Sequence, residues 1–164
     1  MEVKMEKQLA KLYKQLAEML NSIIPTQWSR VYYLGEVVKE KAAWSSTFYY
    51  LDSKSGQIER AHDEIRRVYG ISRLEYLEQV NELNSVLLEM YECFAEHSQE
   101  LWEQISFSLS STGEFKVDFK YDVINEKTDS MTREAVWAYE TFGRVPKEGS
   151  YSRELLEEYL VRLN

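Results

Sequence analysis

The stretch ISFSLSSTGEFKVDFKYD, residues 105–122, decides the fold class. Two runs alternate apolar and polar residues on either side of Ser111, Thr112 and Gly113. If those three residues form the loop, with Gly113 left-handed, then Leu109 faces Phe115, Phe107 faces Val117 and Ile105 faces Phe119. Every apolar side chain then meets another, and the reading predicts an antiparallel hairpin that buries Phe107, Leu109, Phe115, Val117 and Phe119 on one face. The opposite face carries Glu114, Lys116, Asp118, Lys120 and Asp122. A catalytic or metal-binding role for these carboxylates fails on distance. At a rise of roughly 3.3 Å per residue, Asp118 and Asp122 lie about 13 Å apart, whereas paired glycosidase carboxylates span roughly 5–9.5 Å and a shared metal requires much closer ligands. The alternating signs instead describe a solvated strand face.

Working outward, residues 3–24 place Leu9, Leu12, Tyr13, Leu16, Leu20 and Ile23 at spacings of three and four, an amphipathic helix closed by Pro25. SRVYYLGEVVKEK (29–41) and AWSSTFYYLD (43–52) are rich in β-branched and aromatic residues and predict two strands, with a third short one near 57–61 completing a meander. DEIRRVYG predicts a short helix ended by Gly70. A new helix starts at once, because Ser72 and Glu75 form a capping box and Ile71 and Tyr76 a hydrophobic staple. Its apolar seam of Tyr76, Val80, Leu83, Leu87, Met90 and Phe94 predicts a helix running to about His97. Two further helices follow, one ending at Gly143 and one after the Pro146–Ser150 loop. The expected fold is therefore α+β: an antiparallel sheet of about five strands, a meander plus a hairpin, packed with an N-terminal helix, a long central helix and two C-terminal helices.

The chain has 164 residues, 44% of them hydrophobic, which suits one domain over residues 1–164 with a real core. One cysteine, Cys93, excludes an internal disulfide and fits a reducing compartment; helical rotation puts it off the seam as a partly exposed thiol. No apolar run reaches membrane-spanning length, and the N-terminal sequence lacks the apolar core of a signal peptide, so the expected compartment is the cytoplasm. Nucleotide-binding glycine loops, G-x-S-x-G and H-E-x-x-H are absent, and His62 and His97 stand alone in sequence. We expect neither enzymatic activity nor a cofactor or metal.

Charge is the distinctive feature. Residues 72–104 hold eight glutamates against a single arginine, a net −7 of the chain's −8. After Glu75 is assigned to the capping box, and Glu100 and Glu103 to the chain beyond the helix, Glu78, Glu82, Glu89, Glu92 and Glu96 remain as a stripe away from the seam. A solvated face usually mixes signs. This one scarcely does, so a face for a basic protein partner competes with simple solvation, and direct nucleic-acid binding is disfavoured. Aromatic anchors would come from Tyr32, Tyr33, Tyr49, Tyr50, Trp137 or Tyr139, although strand alternation must bury many of them.

SFSLSSTGEFKVDFKYD, REAVWAYETFGRVPKE, LLEEYL and the opening LAEMLNSIIPTQWSRVYYLGEV together resemble the YezG family of bacterial immunity proteins, in order and over most of the chain. The matching positions are Pro25, Trp28, Gly113, Phe115, Phe119, Tyr121, Asp122, Trp137, Tyr139, Gly143 and Pro146. The resemblance implies a cytoplasmic antitoxin that binds the nuclease domain of a toxin secreted through a type VII (LXG) pathway. It implies a protein partner with a basic surface, no membrane, and a monomer within the complex. Asp122, Trp137 and Tyr139 join the glutamates as expected contact residues. The family has a lysine where this chain has Ala138 and a basic residue where it has Glu140, which leaves the bound toxin's identity open. The alternative reading is a self-associating scaffold domain with no toxin partner.

Overall fold

A computed structural model describes residues 2–163. Its contacts divide the chain into two compact units, residues 1–121 and 122–164. The first unit contains helix α1 (Glu2–Ile23), strands β1 (Trp28–Val37), β2 (Trp44–Asp52) and β3 (Ile58–Arg60), helices α2 (Ala61–Tyr69) and α3 (Arg73–Glu96), and strands β4 (Gln104–Ser110) and β5 (Phe115–Lys120). The second contains α4 (Ser130–Phe142) and α5 (Tyr151–Arg162). This is the expected α+β class.

The five strands form one antiparallel sheet in the order β3-β2-β1-β4-β5. The meander and the later hairpin share β1 as the central strand, so the chain must cross through α2 and α3 before adding β4. The hairpin has the predicted register, with Leu109 opposite Phe115, Phe107 opposite Val117 and Ile105 opposite Phe119. Gly113 adopts φ 94°, and Ser110 both accepts from Gly113 N–H at 3.0 Å and donates to the Glu114 carbonyl at 2.8 Å. That is a turn followed by a bulge at a left-handed residue, which sets the pairing parity.

One sheet face carries Val31, Tyr33, Val37, Phe48, Tyr50, Ile105, Phe107 and Leu109 into a continuous core with Leu12, Leu16 and Leu20 of α1 and Leu83, Leu87 and Met90 of α3. Each such side chain contributes about 1.5–3 kcal/mol by leaving water. A short polar chain runs through this core: the Tyr33 hydroxyl lies 2.6 Å from Ser46 Oγ, which donates to Asn84 Oδ1 at 2.7 Å. Because Ser46 uses its proton on Asn84, Tyr33 is the donor to Ser46, and the chain of bonds ties β1, β2 and α3 in one rotational setting. Tyr49 is as buried as Tyr50, so both faces of β2 are out of solvent there.

Three expectations need correction. The first strand ends at Val37 and not 41, because Glu40 and Lys41 take positive φ (60° and 56°) in the turn to β2, a conformation no strand continues through. Phe115 is 51% exposed, and Val117 and Phe119 are only partly buried. The hairpin's apolar face is right, but β5 is the outer strand and its burial fades toward the edge. Cys93 is fully buried, because α3 packs on α1 as well as on the sheet and covers a wider arc than one seam, including Val86 and Tyr91.

Within the second unit, Asp129 caps α4 by accepting from Thr132 N–H at 2.8 Å, and Gly143 ends it at φ 72°. Ser150 caps α5 by accepting from Arg153 N–H at 3.2 Å. Ala135, Trp137, Ala138 and Leu156 are buried.

Candidate partner-binding face

The capping box places the start of α3: Ser72 Oγ accepts from Glu75 N–H at 3.1 Å, so the helix begins at Arg73 and its rotation is fixed from there. At about 100° per residue, Glu78, Glu82, Glu89 and Glu96 fall within an arc of roughly 40°. All four are exposed, and they span about 27 Å of helix at 1.5 Å per residue. Glu92 lies to one side of this row and is paired with Lys41 from the β1–β2 turn, so one carboxylate of the expected stripe has a cation from a distant part of the chain. Glu103 is buried just before β4 and Glu100 lies past the helix end. Both belong outside the face, as their sequence positions imply.

Structure adds residues the sequence did not single out. A shallow groove of about 330 Å³ between α1 and α3 is lined by Glu18, Gln15 and Met19 of α1 together with Gln79 and Glu82 of α3. Glu18 therefore extends the acidic face from a second element. Leu74 is 68% exposed and Leu77 is 45% exposed in the first turns of α3. Large side chains this open form an exposed apolar patch beside the row of carboxylates. Their signal in the sequence is their position off the Tyr76–Phe94 seam.

Of the other expected contact residues, Asp122, Trp137 and Tyr139 lie in the second unit and the strand tyrosines in the first. Asp122 is exposed, with φ 52°, at the unit's first residue. Tyr139 is exposed on α4. Trp137 is 2% exposed, its indole packed edge-on against Phe142 with ring centroids 5.6 Å apart, so of the two expected contact residues on α4 only Tyr139 offers a surface. Tyr32 is partly exposed, while Tyr33, Tyr49 and Tyr50 are buried.

Titration behaviour is that of a core. Burial pushes the hydroxyl of Tyr13 up to about 12, helped by Cys93. Burial likewise raises Tyr33, Tyr50 and Tyr76, and raises the Cys93 thiol with a smaller push from Glu96. Cys93 Sγ sits 4.0 Å from His97 Nδ1, but that nitrogen is 2.8 Å from the Cys93 carbonyl oxygen, to which it donates one turn back along the helix. The arrangement closes the C-terminus of α3 and does not activate a thiolate. His62 Nδ1 and the Tyr76 hydroxyl are hydrogen-bonded, tying α2 to α3. Among the described residues no helix is long and apolar enough to cross a membrane.

Comparison with known proteins places the chain among relatives over most of its length. Residues 9–156 match the family model described as immunity protein YezG-like. The chain is 30% identical over 151 residues to the immunity protein YezG of Bacillus spizizenii, covering 91% of each chain. It is 27% identical over 150 residues to the protein of the same name from Bacillus subtilis, covering 91% of this chain and 97% of that one. It is also 27% identical over 161 residues to the type VII secretion system protein EsaG of Staphylococcus aureus, covering 96% of this chain and 97% of that one.

Proposed function

The chain belongs to the YezG-like immunity protein family, and from that membership we propose that it binds and neutralises the nuclease domain of a cognate toxin secreted through a type VII pathway. The observation that carries the mechanism is the outward face of α3, where Glu78, Glu82, Glu89 and Glu96 stand exposed in one row with Glu18 beside them. A nuclease presents a cationic groove to phosphates. A rigid row of carboxylates complements that groove, speeds encounter by steering and disfavours partners of the wrong sign. Leu74 and Leu77 then supply desolvated contact at one end of the row. Asp122 and Tyr139 are further contacts, and inhibition is by occlusion of the toxin's substrate surface. The protein acts in the cytoplasm by binding, with no turnover of its own.

The test is association kinetics between the chain and the isolated toxin domain. Changing Glu82, Glu89 and Glu96 together to lysine should slow association by about tenfold or more at low salt and flatten its salt dependence, because the steering field is removed. Circular dichroism should stay native, since these side chains leave the core untouched. A Glu148→Lys change in the loop before α5 should alter the rate much less. Unchanged rates in the triple variant would move the interface off α3. Hydrolysis of nucleic acid by the chain itself, abolished by Asp118→Asn, would overturn the binding reading altogether.

A further inference from the structure

We propose that strand β5 pairs with β5 of a second copy of this chain, antiparallel about a twofold axis at Val117, so that two sheets join into one. The reasoning is independent of the toxin reading and starts from the ladder. β5 is the last strand of the sheet, and β4 pairs with it through the register Gln104–Lys120, Ser106–Asp118 and Ser108–Lys116. The bond from Ser110 N–H to the Glu114 carbonyl fixes which residues face β4. In an antiparallel ladder the hydrogen-bonding groups alternate, so Glu114, Lys116, Asp118 and Lys120 turn their N–H and C=O inward, and Phe115, Val117 and Phe119 turn theirs to the outer edge. An edge of this length and regularity is a template for another strand.

The sequence of the edge says which strand fits. EFKVDFK, residues 114–120, is self-complementary when reversed on itself about Val117. Lys116 falls opposite Asp118 of the other copy, twice. Phe115 falls opposite Phe119, twice, and Glu114 opposite Lys120. The paired residues that exchange hydrogen bonds would be Phe115 with Phe119 and Val117 with Val117, the same residues whose backbone groups point outward. Alternative registers fail on charge. Moving the axis by one residue sets Lys116 against Lys116, or Asp118 against Asp118 with Lys116 against Lys120, and like charges directly opposite one another are unfavourable. Larger slips run the ladder past the ends of β5.

The exposed aromatic supports the same partner. Phe115 is half-exposed although it stacks on Phe107 at 5.3 Å and meets Tyr13 at 5.8 Å. Phe119 sits 5.0 Å from Phe94 and 5.6 Å from Trp102. Pairing about Val117 lays the open side of Phe115 from one copy onto Phe119 of the other, joining two aromatic groups that each chain carries at opposite ends of its own β5. Lys116 Nζ and Asp118 Oδ2 form an ion pair at 3.6 Å within the strand, and because both are mostly exposed that pair is weak and can be exchanged for the cross-strand one. An isologous contact of this kind closes on itself as a dimer and does not propagate.

Sedimentation velocity on the full chain over a concentration series tests it. The unaltered protein should show a monomer–dimer equilibrium. Lys116→Asp alone sets the new carboxylate against Asp118 of the other copy, and Asp118→Lys alone sets two ammonium groups against each other, so each should weaken self-association by about tenfold. Mixed together, the two variants become complementary, and a heterodimer should form at concentrations where neither associates alone. Circular dichroism of each variant guards against misfolding. A chain that stays monomeric throughout overturns the proposal, as do single variants that dimerise like the parent. Failure of the mixed pair to associate, with both variants folded, overturns it too.

Discussion

At Gly35 the side chain of Leu87 on α3 packs directly onto the sheet backbone. A methyl group built there would stand 2.5 Å from Leu87 Cδ1 and 2.9 Å from Ile105 Cγ2, inside contact distance on two sides. The residue is in β1, where glycine forgoes both side-chain packing and β propensity, and the close approach of the helix explains why it is nevertheless used. Gly35→Ala should therefore destabilise the fold by about 2 kcal/mol through overpacking, read as a lower urea midpoint with an unchanged slope. Cys93 shows the limit of reasoning at this scale. Rotation on a helical wheel places it off the seam, on an expected partly exposed flank, and only the arrival of α1 decides that this flank is interior. Trp102 is silent in the sequence for the same reason: no local period marks it, yet it is fully buried among Tyr91, Phe94 and Phe119.

At the scale of elements, the parts legible in advance are those fixed by neighbours in sequence. The start of α3 follows from Ser72 and Glu75, and Ser72→Ala should cost about 1 kcal/mol by orphaning the Glu75 N–H, measurable as a drop in the unfolding midpoint. The hairpin register follows from Gly113 and the matched apolar pairs. Phe115 departs from expectation because its exposure depends on β5 being the sheet's outer strand, and strand order is decided by contacts across the whole sequence. The acidic face divides the same way. That Glu78, Glu82, Glu89 and Glu96 share a side is a matter of helical rotation, visible from spacing alone. That Glu92 meets Lys41, and that Glu18 joins from α1, depends on how separate elements pack. For Trp137, the sequence allows core or surface, and only tertiary packing settles that it is buried.

For the whole molecule, tyrosines set an alkaline limit. Tyr13 is held up at about 12 against an ordinary value of 10.0, and Tyr33, Tyr50 and Tyr76 are also raised by burial. The unfolded chain loses these protons first, so it binds fewer than the native state as pH climbs. The stability that burial of the neutral phenols provides is complete below about pH 10 and drains away as pH rises toward and beyond 12. Urea midpoints should stay level through neutral pH and fall steeply above about pH 10; a flat profile there would mean that the phenols are open to solvent. The chain's only sulfhydryl, Cys93, turns the packing of α3 against α1 and the sheet into something that can be timed. A thiol-directed dye can reach that sulfur only when the helix lifts, and the ratio of its labelling rate to that of the denatured chain reads out the free energy of that excursion. A protein clamped along the outer side of α3 would slow the dye without ever touching the sulfur.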